Sequence, residues 1–301
     1  MTECERLLKE GFISEEFLKE EIRDDYKINK EMKKVWAVQL SILNDFINVC
    51  SDHNLTYWVI GGSLLGTIRH KGYIPWDDDI DVSMPRKDYD ILIKHPEWFR
   101  HPNLLHLPSN KEKYYEGWAR VHNVNTSVLY KNYKKEGSKQ GIYLDIFPLD
   151  DFSDSKKEIK AIKKIWRTNL FGHAFCYNAN SNFSAKAISF LLRTFHAFNS
   201  EKTFNKINKL AKMSPTDAEY LASKMVHSYR IERQFFNKED FNDSTEADFE
   251  FLKVKIPVGY DRILQKNYPN YMEFPPVQSR GCWHDFIFDV EHPYDFYNKF
   301  V

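Results

Sequence analysis

Residues 57–90 read YWVIGGSLLGTIRHKGYIPWDDDIDVSMPRKDYD, and the rest of the chain is organised around this stretch. Its first four residues are β-branched or aromatic and predict a short buried strand. Gly61, Gly62 and Ser63 follow, and then a segment of helical pattern, Leu64–His70. Two glycines between a strand and a helix let the backbone approach a ligand closely, and the N–H groups of a helix N-terminus suit a phosphate. We therefore expect Gly61, Gly62 and Ser63 to bind a phosphorylated substrate.

Four aspartates follow within five residues, and such like charges repel one another unless a cation lies among them. An acidic run is often only a solvated turn, and we expect that role for Asp77 and Asp78. Asp79 and Asp81 differ, because strand side chains alternate and these two share one face while Ile80 faces the core. Two carboxylates on one face form the hard-oxygen site that Mg²⁺ uses when it also holds phosphates.

A third carboxylate lies inside the apolar run GIYLDIFPLD, residues 141–150. Asp145 is in the middle of this predicted strand, where an ionised carboxylate is costly unless it meets a cation. It could complete the metal site, act as a general base, or be satisfied by backbone N–H groups.

Composition excludes several classes of protein. Lys plus Arg and Asp plus Glu both number 43 in 301 residues, and a nucleic-acid-binding protein would be basic overall. The four cysteines are far apart and form no metal or redox motif. A charged N-terminus and the lack of a long apolar run predict neither a signal peptide nor a membrane span. We expect a cytoplasmic protein without a nucleic-acid partner, at most peripheral at the inner face of the membrane.

The flanking segments predict an α/β fold, a small mixed sheet flanked by helices. The charged first 30 residues are expected to be mostly helical. Residues 29–53 carry an apolar stripe at helical spacing, which predicts a helix packed on the sheet. We divide the chain into an N-terminal helical segment (1–54), a catalytic core (55–152), a basic insertion (153–248) and a strand–helix segment that closes the core (249–301).

The predicted insertion is basic in its first part. Residues 153–213 hold twelve Lys and Arg against three Asp and Glu, with aromatic residues in a helical pattern. Basic helices with aromatic faces bind anionic membrane surfaces, and a solvated basic face is the plainer interpretation. We hypothesise that this insertion docks a lipid-linked or anionic acceptor, or the membrane itself.

Three phrases together resemble the LicD family, which includes the fukutin-like proteins and belongs to the nucleotidyltransferase superfamily. They are GGSLLGTIRHKGYIPWDDDIDV (61–82), YLDIFPLD (143–150) and KIPVGYDRILQKNYPNYMEFPP (255–276). The family usually has Gly-Asp where this chain has Pro269-Asn270. The resemblance covers both ends of the chain and skips its middle, and it implies a sheet of the nucleotidyltransferase type.

The resemblance also implies an activity. Bacterial members of the family transfer phosphocholine from CDP-choline to glycans of teichoic acid, capsule or lipopolysaccharide. On this basis Asp79, Asp81 and Asp145 are the expected catalytic and metal-binding residues, with Mg²⁺ or Mn²⁺ as cofactor. CDP-choline is the expected donor, a hydroxyl of a glycan or its lipid-linked precursor is the expected acceptor, and CMP is released.

Three further residues are candidates for substrate binding. Arg120 fits a basic position of the family pattern and is expected to contact a phosphate, and Arg69 could assist. Trp76 adjoins the aspartates, and aromatic faces recognise a trimethylammonium group because it has no hydrogen to donate. CDP-ribitol or CDP-glycerol as donor, or an inactive glycan- or nucleotide-binding protein, are the alternatives. Retention of all three carboxylates disfavours an inactive protein.

Overall fold

The computed structural model describes residues 1–111, 114–130, 140–177, 198–214, 218–226, 233–281 and 286–297. Their seven α-helices are α1 (Glu3–Lys9), α2 (Lys30–Asp52), α3 (Gly61–His70), α4 (Arg86–Leu92), α5 (Lys156–Tyr177), α6 (Ser200–Ala211) and α7 (Tyr260–Asn267). Their strands are β1 (Glu21–Arg23), β2 (Tyr26–Ile28), β3 (Trp58–Val59), β4 (Asp81–Pro85), β5 (Asn103–His106), β6 (Ala119–Asn123), β7 (Ser127–Tyr130), β8 (Ile142–Phe152), β9 (Tyr220–Ala222), β10 (Phe235–Asn237), β11 (Ser244–Phe249), β12 (Leu252–Pro257) and β13 (Phe286–Asp289).

A mixed sheet of five strands in the order β5-β6-β8-β4-β3 forms the centre of this α/β fold. β4 and β8 run parallel, and the other neighbours are antiparallel. The burial predicted for Ile80 and Val82 is confirmed, but strand β4 begins only at Asp81, so Asp79 precedes it. The predicted strands at 57–60 and 141–150 correspond to β3 and β8.

Strand β8 is long enough to belong to two groups of strands. Its first part pairs with β4 and β6, and its last residues, Asp150–Phe152, pair with β9, which pairs with β10. The region that we predicted to be an insertion is therefore attached to the strand that carries Asp145. Its helices α5 and α6 confirm the helical pattern, and residues 178–197 lie outside the described part of the chain.

Helix α2 confirms the prediction for residues 29–53 and positions the aspartate segment. The Asn29 side chain caps it by accepting from the Met32 N–H at 2.8 Å, as an N-cap asparagine does. Trp36 donates from Nε1 to the Asp77 carbonyl at 3.1 Å, and Gln39 donates from Nε2 to the Asp78 carbonyl at 2.7 Å. The acidic run is thus held by its backbone.

The prediction of helix in the first 30 residues is wrong beyond α1, because β1 and β2 form an antiparallel hairpin. Its two turn residues, Asp24 and Asp25, have φ values of 52° and 59°. Aspartate is among the few residues that tolerate this left-handed conformation. The hairpin is held by distant contacts, including an Arg23–Glu250 ion pair of 2.6 Å, which no local pattern encodes.

Two smaller differences concern the central segments. Helix α3 begins at Gly61, so the two glycines form its first turn rather than a separate loop. Strands β6 and β7 follow each other in the chain but do not pair with each other, since β6 pairs with β5 and β8 and β7 pairs with β13. Among the described residues, no helix combines the length and apolar character needed to cross a membrane.

Candidate active site

The pairing of three strands places three of the predicted site residues side by side. Asp81 on β4 is in register with Asp145 on β8, and Asp145 is in register with Arg120 on β6. Residues directly opposite each other point to the same face of a sheet. The order across that face is therefore Arg120, Asp145, Asp81. Gly61 comes next, because the Ile60 N–H donates to the Asp81 carbonyl at 3.1 Å.

Asp145 is held by an ion pair with Arg120. The guanidinium contacts both carboxylate oxygens, through Nε and, at 3.1 Å, through Nη2. Trp118 donates to Oδ1 of Asp145 from Nε1 at 2.5 Å. Arg120 also donates to Glu116 at 3.0 Å and to Gln140 at 2.8 Å. Burial alone would lower the pKa of Arg120, but the carboxylates of Asp145 and Glu116 hold that pKa well above its usual value.

Asp81 has the opposite electrostatic environment. Burial, and then the charges of Asp79, Asp145 and Asp77, raise its pKa well above the usual range, and Arg120 opposes them only in part. Negative charge therefore exceeds positive charge around this carboxylate. Its backbone N–H donates to the Ser63 hydroxyl oxygen at 2.9 Å, so Ser63 fastens the first turn of α3 to β4.

The two glycines make room for carboxylates at the N-terminus of α3. Gly61 has a φ of +58°, and a Cβ at this position would lie 3.3 Å from Oδ2 of Asp81. A Cβ on Gly62 would lie 2.8 Å from Oδ2 of Asp77, closer than a normal van der Waals contact. Any larger residue at position 62 would displace Asp77, so this glycine is required by the packing of the acidic run.

The consecutive aspartates form a cluster that could hold a metal ion. Carboxylate oxygens of Asp77, Asp78 and Asp79 all lie within 4.8 Å of one another. Oxygen ligands of this kind are those preferred by Mg²⁺ and Mn²⁺, so the donor set fits the expected cofactor. We predicted a metal on Asp79, Asp81 and Asp145 and gave Asp77 and Asp78 a turn role. The structure brings Asp77 and Asp78 together with Asp79.

A cavity of about 800 Å³ opens beside this cluster, within the size range of small-molecule sites. Four residues of the predicted site line it, namely Gly62, Arg69, Trp76 and Asp79. Asp77 and a group of side chains that the sequence interpretation missed complete much of the wall, including Arg233, Tyr268, Tyr271 and Phe274. Arg120 and Asp145 lie in the central sheet, next to Asp81.

The outer wall of the cavity is built by residues from both ends of the chain. Arg69 donates from Nη1 to the carbonyls of Tyr271 at 2.8 Å and Glu273 at 3.1 Å. Its Nε donates to Nε2 of His70 at 2.8 Å, and Nδ1 of His70 is 2.7 Å from Asp24. Because an arginine Nε can only donate, Nδ1 of His70 carries the proton that Asp24 accepts.

Arg280 fastens the same wall from the other side. It donates to the carbonyl of Pro275 at 2.9 Å and to that of Asp24 at 2.9 Å. Its guanidinium lies 5.1 Å from the centre of the Trp76 ring and 5.5 Å from that of Phe274. The aromatic ring next to the aspartates thus already has a resident cation.

Tyr268 links the two ends of the cavity electrostatically. Burial raises the pKa of its phenol, and the charges of Asp77, Asp81 and Asp79 raise it further, while Arg233 lowers it. The phenol is therefore near both the acidic cluster and Arg233. The phrase at residues 255–276 contains Tyr268, but nothing in its local pattern indicates that this tyrosine faces the aspartates.

Comparison with known proteins gives a family match. A family model described as LicD/FKTN/FKRP, nucleotidyltransferase domain, matches residues 54–200. A protein named lipopolysaccharide cholinephosphotransferase LicD, from Haemophilus influenzae, is 28% identical over 261 residues, covering 84% of this chain and 96% of that protein. An uncharacterized protein of Rickettsia typhi is 38% identical over 63 residues, 21% of this chain and 19% of that protein. The aspartate cluster and the glycine pair lie within the matched residues 54–200, and this part of the chain belongs to the LicD/FKTN/FKRP family of nucleotidyltransferase domains.

Proposed function

We propose that the protein transfers phosphocholine from CDP-choline to a hydroxyl of a cell-surface glycan, or of its lipid-linked precursor, and releases CMP. One observation carries the proposal: a single cavity joins an acidic cluster at the N-terminus of α3 to a wall rich in aromatic rings. The acidic end suits a metal-bound diphosphate, and the rings suit the rest of the donor. The similarity to a lipopolysaccharide cholinephosphotransferase over 84% of the chain supports the same choice.

Asp77 and Asp79 would hold the metal ion at the edge of the cavity, with Asp81 beside them. A bound Mg²⁺ or Mn²⁺ would neutralise the charge of the diphosphate oxygens as the leaving group departs. The backbone N–H groups at the start of α3 and the absence of a side chain on Gly62 leave room for phosphate oxygens near the carboxylates. We propose Asp79, Asp81 and Asp145 as the residues on which turnover depends.

The reaction needs a proton acceptor for the attacking hydroxyl. The acceptor oxygen would form a bond to the phosphorus that bears choline, and the bond from that phosphorus to the oxygen of CMP would break. Asp145 is our candidate to take the proton, because it neighbours Asp81 in the sheet. Arg120 would keep Asp145 oriented, and we propose that this ion pair is its contribution in place of a direct phosphate contact.

A different CDP-alcohol is the second candidate donor, and one observation favours it. The Arg280 guanidinium over Trp76 competes for the ring face that a trimethylammonium group would use. A neutral polyol such as the ribitol or glycerol of a CDP-alcohol would not be repelled by this cation. The choice between the two donors depends on whether Tyr268, Tyr271 and Phe274 supply enough ring surface for choline.

Calorimetry with CDP-choline, CDP-ribitol, CDP-glycerol and CTP, each with and without Mg²⁺, tests the proposal. We expect Mg²⁺-dependent binding that is tightest for CDP-choline. Tighter binding of another CDP-alcohol would retain the site and replace the donor. Binding of none of them would contradict a CDP-alcohol transferase and support a non-catalytic glycan-binding protein.

Replacement of Trp76 separates the donors further. We expect Trp76→Leu to raise KM for CDP-choline more than KM for CDP-glycerol if the ring contacts choline. A melting temperature is needed alongside, because Trp76 is buried against Tyr26 and His70. Equal changes in both KM values would remove Trp76 from choline recognition.

A further inference from the structure

Three arginines line or flank the donor cavity, and two of them have their donors engaged by the protein. Arg69 donates to His70 and to two carbonyls of the residue 271–273 segment. Arg280 donates to the carbonyls of Asp24 and Pro275. In each guanidinium, Nε and Nη1 are bonded to the protein, and these bonds stabilise the wall of the cavity.

Arg233 differs from both. It lines the same cavity as Gly62, Asp77 and Asp79 and is only partly exposed. Among the residues that the structure describes, Arg233 has no hydrogen-bond or ion-pair partner. Burying part of a guanidinium without a partner costs free energy, so its position in the cavity calls for an anion that is not part of the protein.

The backbone holds Arg233 in place. Gln234 accepts a hydrogen bond from the Ser223 N–H through its carbonyl at 2.9 Å. Phe235, the first residue of β10, is paired with Ala222 of β9. The arginine therefore projects from a segment that is fastened, through β9, to the strand that carries Asp145.

The arrangement of charges identifies the anion. Asp77 and Asp79 of the acidic cluster line one cavity together with Arg233 and Tyr268. A metal ion on the aspartates would take some oxygens of a diphosphate, and the remaining oxygens would still carry negative charge. A guanidinium binds such oxygens through two parallel hydrogen bonds.

We infer that Arg233 binds the diphosphate of the CDP donor in the cavity that it lines together with Asp77 and Asp79. This inference rests on the proposed function, since it assumes a CDP-linked substrate. It reassigns the phosphate-binding role that the sequence indicated for Arg120 and Arg69. Both of those residues are bonded to protein groups instead.

Binding of cytidine, CDP and CDP-choline to Arg233→Gln in the presence of Mg²⁺ tests the inference by calorimetry. We expect Kd for CDP and for CDP-choline to rise about 10- to 100-fold, the usual effect of losing a charged hydrogen bond. Binding of cytidine should be unchanged. The Kd values of Arg233→Lys should lie between those of the wild type and those of Arg233→Gln, because lysine keeps the charge but cannot form two parallel hydrogen bonds.

Controls distinguish failure of this inference from failure of the proposed function. Arg100→Gln is the matched control, since Arg100 is exposed in a separate cavity beside Trp98, and it should bind like the wild type. Wild-type Kd values in Arg233→Gln would overturn the inference and leave the proposed function intact. An equal loss for cytidine would overturn it too, by moving Arg233 to the nucleoside. A wild-type protein that binds neither CDP nor CDP-choline would overturn both.

A change in folding is detected separately. Arg233→Gln should keep its melting temperature to within about 2 °C, because a substitution without partners typically changes stability by less than about 0.5 kcal/mol. A larger drop, together with equal weakening of all three ligands, would identify Arg233 as a structural residue and contradict the inference.

Discussion

Asp81 is the residue at which the charge balance of the site is most one-sided. Its neighbours on the same face include Asp145, and Asp77 and Asp79 precede it closely in the chain. The alternation of apolar and acidic residues was enough to predict that Ile80 and Val82 are buried. Local pattern could not predict that Asp77 joins the cluster. Its position depends on the space left by Gly62 and on the hydrogen bond from Trp36 of α2 to the Asp77 carbonyl.

Asp81→Asn should abolish turnover while leaving the fold intact. The substitution removes a carboxylate from a group of mutually repelling charges, so the melting temperature should stay the same or rise. We expect CMP release to fall at least about 100-fold, as for loss of a group that stabilises transition-state charge. CMP release and thermal unfolding measure the two effects.

Asp25→Asn is the matched control for that substitution. Asp25 is exposed in the β1–β2 turn, and asparagine tolerates its left-handed backbone as well as aspartate does. Full activity in both variants would show that Asp81 has no part in catalysis.

His122 gives the stability of the fold a dependence on pH. It is fully buried, and burial, then His106 and Arg120, lower its pKa well below the usual value. Among the described residues, Tyr114 and Tyr143 are further titratable groups that face it. Below about pH 6.5 the unfolded chain binds a proton that the folded protein excludes, so folding stability falls by up to about 1.4 kcal/mol per pH unit. Above that pH, His122 contributes no pH dependence.

Urea unfolding of the wild type and His122→Leu between pH 5 and pH 8 measures this effect. The unfolding free energy of the variant minus that of the wild type should be constant above about pH 6.5. It should increase as the pH falls below that value. A difference that stays constant down to pH 5 would mean that His122 is protonated in the folded state.

At the scale of elements, prediction from sequence succeeded where one segment carries its own pattern. Helix α2 carries an apolar stripe at helical spacing and strand β8 a long apolar run, and both were predicted. The β1–β2 hairpin was missed because its contacts, such as Arg23 with Glu250, join residues far apart in the chain. The wall made by Arg69, His70 and Asp24 could not be predicted for the same reason.

The attachment of α5 depends on a buried ion pair. Lys224 donates from Nζ to Glu158 at 2.9 Å, and also to the Ala211 carbonyl and the Ser214 hydroxyl. Lys224→Met should destabilise the protein by about 3 kcal/mol, because it leaves a buried carboxylate without its cation. Urea unfolding measures the loss.

The double variant Lys224→Met/Glu158→Gln is the control for this pair. It should recover part of the stability, since no uncompensated charge remains. A single variant within about 1 kcal/mol of the wild type would show that the pair is not needed to hold α5.

At the scale of the whole molecule, our hypothesis is that the basic region, residues 153–213, docks an anionic acceptor or the membrane. Its described helices α5 and α6 carry most of the lysines, and they pack through small clusters that include Ile162 and Ile207. The charge was evident from composition, but composition does not distinguish a solvated face from a docking face.

Flotation with vesicles tests whether this region binds a membrane. We expect binding to vesicles that contain anionic lipid, loss of that binding at high salt, and no binding to neutral vesicles. Lys163→Glu/Lys164→Glu on the exposed face of α5 should weaken binding and leave donor affinity unchanged. Absence of salt-sensitive binding would indicate an acceptor dock or a solvated face instead.

The contact between Asp24 and Arg280 spans 256 positions of the chain, and it has a consequence for synthesis. A ribosome completes the aspartate cluster and the central sheet long before residue 280 is made. The wall of the donor cavity can close only when this late segment has emerged and reached the early hairpin. A prematurely terminated product would therefore carry the carboxylates without a finished cavity, and it should be unable to retain the donor.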